Sequence, residues 1–199
     1  MNTEEPRVGE QRPGGRAERV RTAVLEAAAE LLTEVGYEKM RVDDVAARAG
    51  VHKTTVYRRW PTKAALTADA AALNSAEAVP IPDTGTVARD LQLLAREVAA
   101  NIGTEDGSRR SRSIAAAAAT SDELATAMHG FWAHRLALSA QVVQRGIERG
   151  ELPPSTDAKL IVETVIGPLW VRLLLTGEPI TQELADQVVE LVTHGATPR

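Results

Sequence analysis

Cysteine is absent from this chain, and aromatic residues are nearly so: three Trp, two Tyr and one Phe in 199 residues. The missing thiols exclude disulfides and thiolate metal centres and are compatible with a reducing cytoplasm. With few rings, the core has to be built mainly from Ala, Leu and Val, within a hydrophobic share of 44%. Ala and Leu are among the best helix formers, and no stretch alternates convincingly as a strand would, so an all-α fold is expected. The four histidines, His52, His129, His134 and His194, show no HExxH-type spacing, and no metal or cofactor is expected. The first residues are polar where a signal peptide would be apolar. The most apolar run, 160–175, is interrupted by Glu163, Pro168 and Arg172, too short and too charged to span a bilayer.

Net charge is −4, which by itself argues against a polyanion partner. Its distribution argues the other way. Residues 1–63 carry 12 Lys and Arg against 10 Asp and Glu, while residues 64–199 carry 11 against 17. The basic part is therefore the N-terminal third.

Pro, Gly, Arg and Glu without periodicity make 1–15 a predicted disordered arm, in which Arg7, Arg12 and Arg16 could follow a phosphate backbone. Helical spacing then predicts about nine helices. The first covers about 16–35, with Val20, Val24, Ala27, Ala28, Leu31, Leu32 and Val35 on its apolar stripe and Gly36 as its left-handed terminus. The next three fall at about 42–49, 53–60 and 62–78, separated by Gly50 and Pro61, with Thr62 as the cap of the third. The break Pro80-Ile81-Pro82 precedes a helix at about 86–102. A loop is predicted over 103–108, then a short Ala-rich helix at 111–119. A capping box Thr120-Ser-Asp-Glu123 starts a long helix to 149, ended by Gly150 and Pro153-Pro154. Two more helices follow at about 156–175 and 182–194. Thr181 caps the second, whose expected inner face is Leu184, Val188, Leu191 and Val192. The 156–175 helix is apolar nearly all round, so it has to be buried on all sides, which points to a second copy of the chain.

The chemistry concentrates in 42–63, VDDVAARAGVHKTTVYRRWPTK. At about 100° per residue, Val56 and Trp60 face inward with Val45 and Ala46. Lys53, Thr54, Thr55, Tyr57 and Arg58 face outward, a set able to donate to phosphates and touch base edges. Lys63 opens the next helix, where backbone amides and the helix dipole already favour a phosphate. A solvated basic face on a three-helix bundle is the alternative reading of this pattern alone.

The segment LEAAAELLTEVGYEKMRVDDVAARAGVHKTTVYRRWPTKAAL resembles the N-terminal domain of the TetR family of bacterial transcriptional regulators, over about residues 19–69. The resemblance implies a helix-turn-helix domain, placed here at 16–65, joined to a larger helical domain at 66–199 that dimerises and usually holds a ligand cavity. It places Lys53, Thr54, Thr55, Tyr57 and Arg58 on the recognition helix and makes Tyr57 and Lys63 phosphate contacts. Three departures stand out. Arg41 and His52 occupy positions where the family often has a capping Ser or Thr, at an expected cost of about 1 kcal/mol each, and either could contact DNA instead. Trp60 replaces the usual Phe.

The segment ERGELPPSTDAKLIVETVIGPLWVRLLLTGEP is similar to a C-terminal domain found in a TetR subgroup. That similarity implies a homodimer through 156–175 and 182–194. Met128, Phe131, Trp132, Leu136 and Trp170 would line an effector cavity, with His129 or Arg172 as polar contacts. The expected function is a cytoplasmic homodimeric repressor of a palindromic DNA operator, released by a small-molecule effector. A DNA-binding regulator without an effector, either an activator or a constitutive repressor, is the alternative. A helical enzyme is the third class, and no nucleophile–base pair, metal spacing or phosphate loop supports it.

Overall fold

The structure is a computed structural model that describes residues 15–196; apart from Gly15, the predicted arm 1–15 lies outside them. The described residues form ten α-helices and one π turn, with no strand. The helices are α1 (Gly15–Glu34), α2 (Gly36–Lys39), α3 (Val42–Arg48), α4 (Lys53–Arg59), α5 (Lys63–Ala78), α6 (Val87–Gly103), α7 (Glu105–Ala118), α8 (Asp122–Glu148), α9 (Ala158–Val171) and α10 (Gln182–Ala196), with the π turn at Arg172–Thr176. None of the described helices is long and apolar enough to cross a membrane.

Two hydrophobic clusters organise these helices. The first takes the inner faces of α1, α3, α4 and α5, centred on Leu25, Leu32, Val45, Val56, Trp60 and Leu66. It extends to Ile114 and Ala117 of α7 and to Leu124 and Met128 of α8, so it crosses the border expected near residue 65. The second cluster joins α6, the C-terminal half of α8, α9, the π turn and α10. Here α10 lies along α6, and α8 packs on both α5 and α9. Arg96 and Asp186 reinforce the α6–α10 contact as a two-pronged pair, Nη2 to Oδ2 at 2.6 Å and Nε to Oδ1 at 2.7 Å. The Arg96 guanidinium holds the Asp186 carboxyl below its ordinary value.

The stripe of α1 is largely as expected, except that Val35 is exposed. Gly36 adopts φ +76° and leads at once into α2, a single turn that periodicity could not reveal. A side chain at Gly36 would meet Ser113 Oγ at 2.8 Å, and that oxygen accepts from the Tyr37 amide at 2.7 Å.

The predicted loop 103–108 is a correction. α7 begins at Glu105, because Thr104 caps it by accepting from the Gly107 amide at 3.0 Å, and Glu105 and Asp106 sit favourably in its first turn. The Gly, Asp and Ser of this stretch are first-turn residues, not loop residues. The capping box shifts by one residue: Ser121, not Thr120, accepts from Leu124 N–H at 3.3 Å. Thr120 instead donates to the Ala117 carbonyl of the preceding helix. The 156–175 helix becomes α9 plus the π turn, starting after Asp157, which accepts from the Lys159 and Leu160 amides. Thr181 caps α10 as expected, but Leu191 is 75% exposed rather than on the inner face.

Gly107 sits where α7 crosses the end of α6. A Cβ there would lie 1.9 Å from the Asn101 carbonyl oxygen. Gly107→Ala is therefore expected to cost about 1–3 kcal/mol, roughly 2–12 °C in thermal midpoint at this chain length. At Gly130, within α8, a Cβ would meet nothing within 4 Å. Gly130→Ala should gain up to about 1 kcal/mol. Thermal melts followed by circular dichroism check both signs, and equal shifts would reject the close-approach argument.

Candidate DNA interface and ligand cavity

The outward face of α4 is present as a set. His52, Lys53, Thr54, Tyr57 and Arg58 are exposed and Thr55 is half-buried, while Val56 and Trp60 are sealed into the core. Tyr57 remains 45% exposed, an unusual place for a ring with so few others in the chain. Arg58 has no hydrogen bond or ion pair among the described residues. Lys53 reaches only Asp43, at 3.6 Å.

The two expected weak caps differ. Arg41 precedes α3 with no side-chain cap and stands exposed. His52 does cap α4, a correction: its ring accepts from the Thr54 amide at 3.4 Å and meets the Thr54 hydroxyl at 2.9 Å. The first of these is long, so the cap is weak but present. Trp60 is explained by Asp69, whose Oδ2 accepts from the indole N–H at 2.9 Å. A Phe there could not make this bond, which ties the end of α4 to α5.

Lys63 has an internal role. Its ammonium donates to the Tyr37 carbonyl at 3.0 Å and to Glu38 at 3.5 Å, and lies 4.1 Å from the Tyr37 ring centroid. It thus closes the C-terminal end of α2, where a cation is favoured. Around it, Arg41, Tyr57, Thr62 and Lys63 line a concavity at the N-terminus of α5, a helix with no acidic residue in its first turn.

A second cavity, of about 420 Å³, opens between α5, α6, α7, α8 and α9. Of the expected ligand residues, Met128, His129, Phe131, Trp132 and Trp170 line it. Leu136 does not; it packs against the second cluster. Arg172 does not either, since it turns to the Pro179 carbonyl at 2.6 Å and to Glu178 at 3.3 Å. Phe131, Trp132 and Trp170 form an edge-to-face run, each step with centroids 5.0 Å apart. Trp170 Nε1 is buried with no partner.

Sequence reasoning missed the other walls. Ala71, Asn74 and Ser75 come from α5, Asn101 from α6, and Arg110 and Ser111 from α7. Arg110 lay before the predicted start of its helix at 111, so no facing could be assigned to it.

Comparison with known proteins follows the same lines. Residues 24–70 match the family of bacterial regulatory proteins, tetR family, and residues 81–192 match the tetracyclin repressor-like C-terminal domain. The HTH-type transcriptional regulator AqdR of Rhodococcus erythropolis is 36% identical over 96% of this chain and 92% of its own. The HTH-type regulator YdeS of Bacillus subtilis is 29% identical over 87% of this chain and 88% of its own. The crystal structure of the TetR family transcription regulator SCO0332 superposes with a TM-score of 0.78 at 33% identity, covering 90% of this chain and all of that one.

The geometry separates two basic residues that look alike in sequence. Lys63→Met should lower stability by about 1 kcal/mol, because it strips the α2 carbonyls and the Tyr37 ring of their cation. Arg58→Ala should leave stability within about 0.5 kcal/mol and weaken binding to selected DNA. Melting curves and fluorescence anisotropy on the same preparations distinguish them; a stable Lys63→Met protein would reject the internal role.

Proposed function

The chain belongs to the TetR family and is a DNA-binding transcriptional regulator, not an enzyme, and from that premise we propose that it is a cytoplasmic homodimeric repressor released from a palindromic operator by a small molecule. In this reading residues 16–65 read DNA and residues 66–199 dimerise and bind the effector.

One observation carries the proposal: α5 holds both ends of the switch. Its N-terminal half is bolted to α4 by the Trp60–Asp69 hydrogen bond. Its C-terminal half supplies Ala71, Asn74 and Ser75 to the cavity wall. Beyond it, Val79 is buried and its carbonyl accepts from Arg135 of α8 at 2.6 Å. A ligand that prefers a cavity of different width moves α5 about this fixed end and carries α4 with it. The equilibrium shifts only by the difference in ligand affinity between the two arrangements.

The DNA-facing set in this reading is Arg41, His52, Lys53, Thr54, Thr55, Tyr57 and Arg58, with the α5 N-terminus and Lys63 beside the phosphates, the Lys63 ammonium keeping its bond to the Tyr37 carbonyl and offering a remaining donor outward. Two copies of α4 related by a two-fold axis would enter successive major grooves.

The exposed apolar residues support a dimer. Leu160, Val171, Leu174, Leu175 and Leu191 are 44–79% exposed, all on α9, the π turn and α10. Side chains this large and this exposed in one region mark an interface more often than a free surface.

Fragments selected from random DNA should yield a palindrome, and a gel-shift series on it with candidate ligands tests release. An asymmetric consensus would overturn the dimeric reading. Leu175→Glu combined with Leu191→Glu should convert a dimer to a folded monomer in light scattering. A variant that remains dimeric moves the interface elsewhere.

A further inference from the structure

The cavity has a chemistry that narrows its ligand. Among the described residues no acidic side chain lines it, whereas two basic ones, Arg110 and His129, do. Arg110 is half-buried and makes a single hydrogen bond, Nη1 to Thr33 Oγ1 at 3.1 Å. An arginine carries five N–H donors, so most of this guanidinium has no protein partner. On its α1 side Arg110 also borders a concavity with Glu26, Glu30, Glu34 and Asp106, and Asp106 acts on it through space. Asp106 pairs with Arg109 at 3.8 Å, and Glu34 and Glu30 pair with Arg48 at 2.7 Å and 3.5 Å. None forms an ion pair with Arg110 among the described residues. A partly desolvated cation without a direct ion pair is costly unless something else contacts it. Burial accordingly pushes its pKa down.

Apart from Asn74, Ser75, Asn101, Ser111 and His129, the remaining walls are apolar. Phe131, Trp132 and Trp170 present rings at interplanar angles of 64° and 86°, and Ala115, Ala118 and Ala119 face the space from α7 with no side chain beyond a methyl. This suits a compact aromatic body better than a long flexible chain.

Building on the effector reading above, we propose that the cavity takes a compact aromatic organic acid, its rings beside Trp132 and Trp170 and its carboxylate or equivalent oxyanion on Arg110. A charge-assisted, forked contact of this kind is stronger than a neutral one. The acid should therefore bind better than its own amide by about tenfold or more.

The test uses the full-length protein and three probes: 2-naphthoate, 2-naphthamide and decanoate. Calorimetry gives each affinity, and quenching of tryptophan fluorescence reports occupancy by the two naphthyl compounds. Naphthoate should bind tightest, Arg110→Gln should erase the gap between acid and amide, and Arg110→Lys should keep most of it. Equal binding of acid and amide, a gap that survives Arg110→Gln, tighter binding of decanoate, or no binding of naphthoate would each overturn the proposal. If Arg110→Gln does not fold, the comparison of acid with amide on the wild-type and Arg110→Lys proteins decides. A gel shift on the selected operator separates this proposal from the effector reading. Arg110-dependent naphthoate binding that leaves the DNA complex intact at saturation keeps the ligand class and rejects release by this class. DNA release by a neutral or cationic compound, with naphthoate not binding, does the reverse.

Discussion

The hydrogen bond from the Trp60 indole to Asp69 joins the end of α4 to α5, and nearly everything else in the structure depends on α5 keeping its place. That helix has two faces with different neighbours. Ala64, Leu66 and Ala70 are at most 1% exposed and lock it into the first hydrophobic cluster. Ala71, Asn74 and Ser75 turn toward the cavity. Asn74 and Asn101 meet across that space at 3.5 Å, a weak contact. The tight face fixes α5 to the helix-turn-helix end, and the loose face is the one the proposed effector would act on.

A second connection runs through α7. Ser113 accepts from the Tyr37 amide, while the adjacent Arg112 donates to the Leu173 carbonyl in the π turn at 2.9 Å. Tyr37 in turn gives its carbonyl to Lys63 at the start of α5. Two neighbouring side chains thus reach the exposed apolar region at one end and the first turn of α5 at the other. If subunits pair through that apolar region as proposed, pairing and DNA reading share this helix, and neither surface is mechanically independent of the other.

The periodic helices were legible because their cores are regular: α1, α3, α4 and α5 bury the residues that a 3.6-residue period selects. What escaped was set by single contacts. α2 exists because Lys63, far along the chain, closes its end. α7 starts six residues earlier than its alanine run suggests, because Thr104 caps it and α6 demands a glycine at 107. The outward set of α4 followed from angle alone, whereas Arg110 could not be assigned without the true start of its helix. Lys63 shows the limit of residue type: a cation beside a helix N-terminus reads as a phosphate ligand, and its second, internal role appears only once the Tyr37 carbonyl is seen next to it. Leu191 fitted the apolar stripe of α10, but the stripe is wider than the groove it packs into.

The alanines of the cavity carry a consequence for divergence. Ala71, Ala115, Ala118, Ala119 and Ala125 come from three helices and the turn after one of them, and each presents a methyl to the same space. Ala71 and Ala118 also pack against the first cluster, whereas Ala115, Ala119 and Ala125 belong to neither cluster, so growth at these three fills the space with least disturbance of the core. If the cavity holds the proposed effector, a lineage of such regulators can change what it senses one carbon at a time at those positions, and new specificities should be separated by few substitutions.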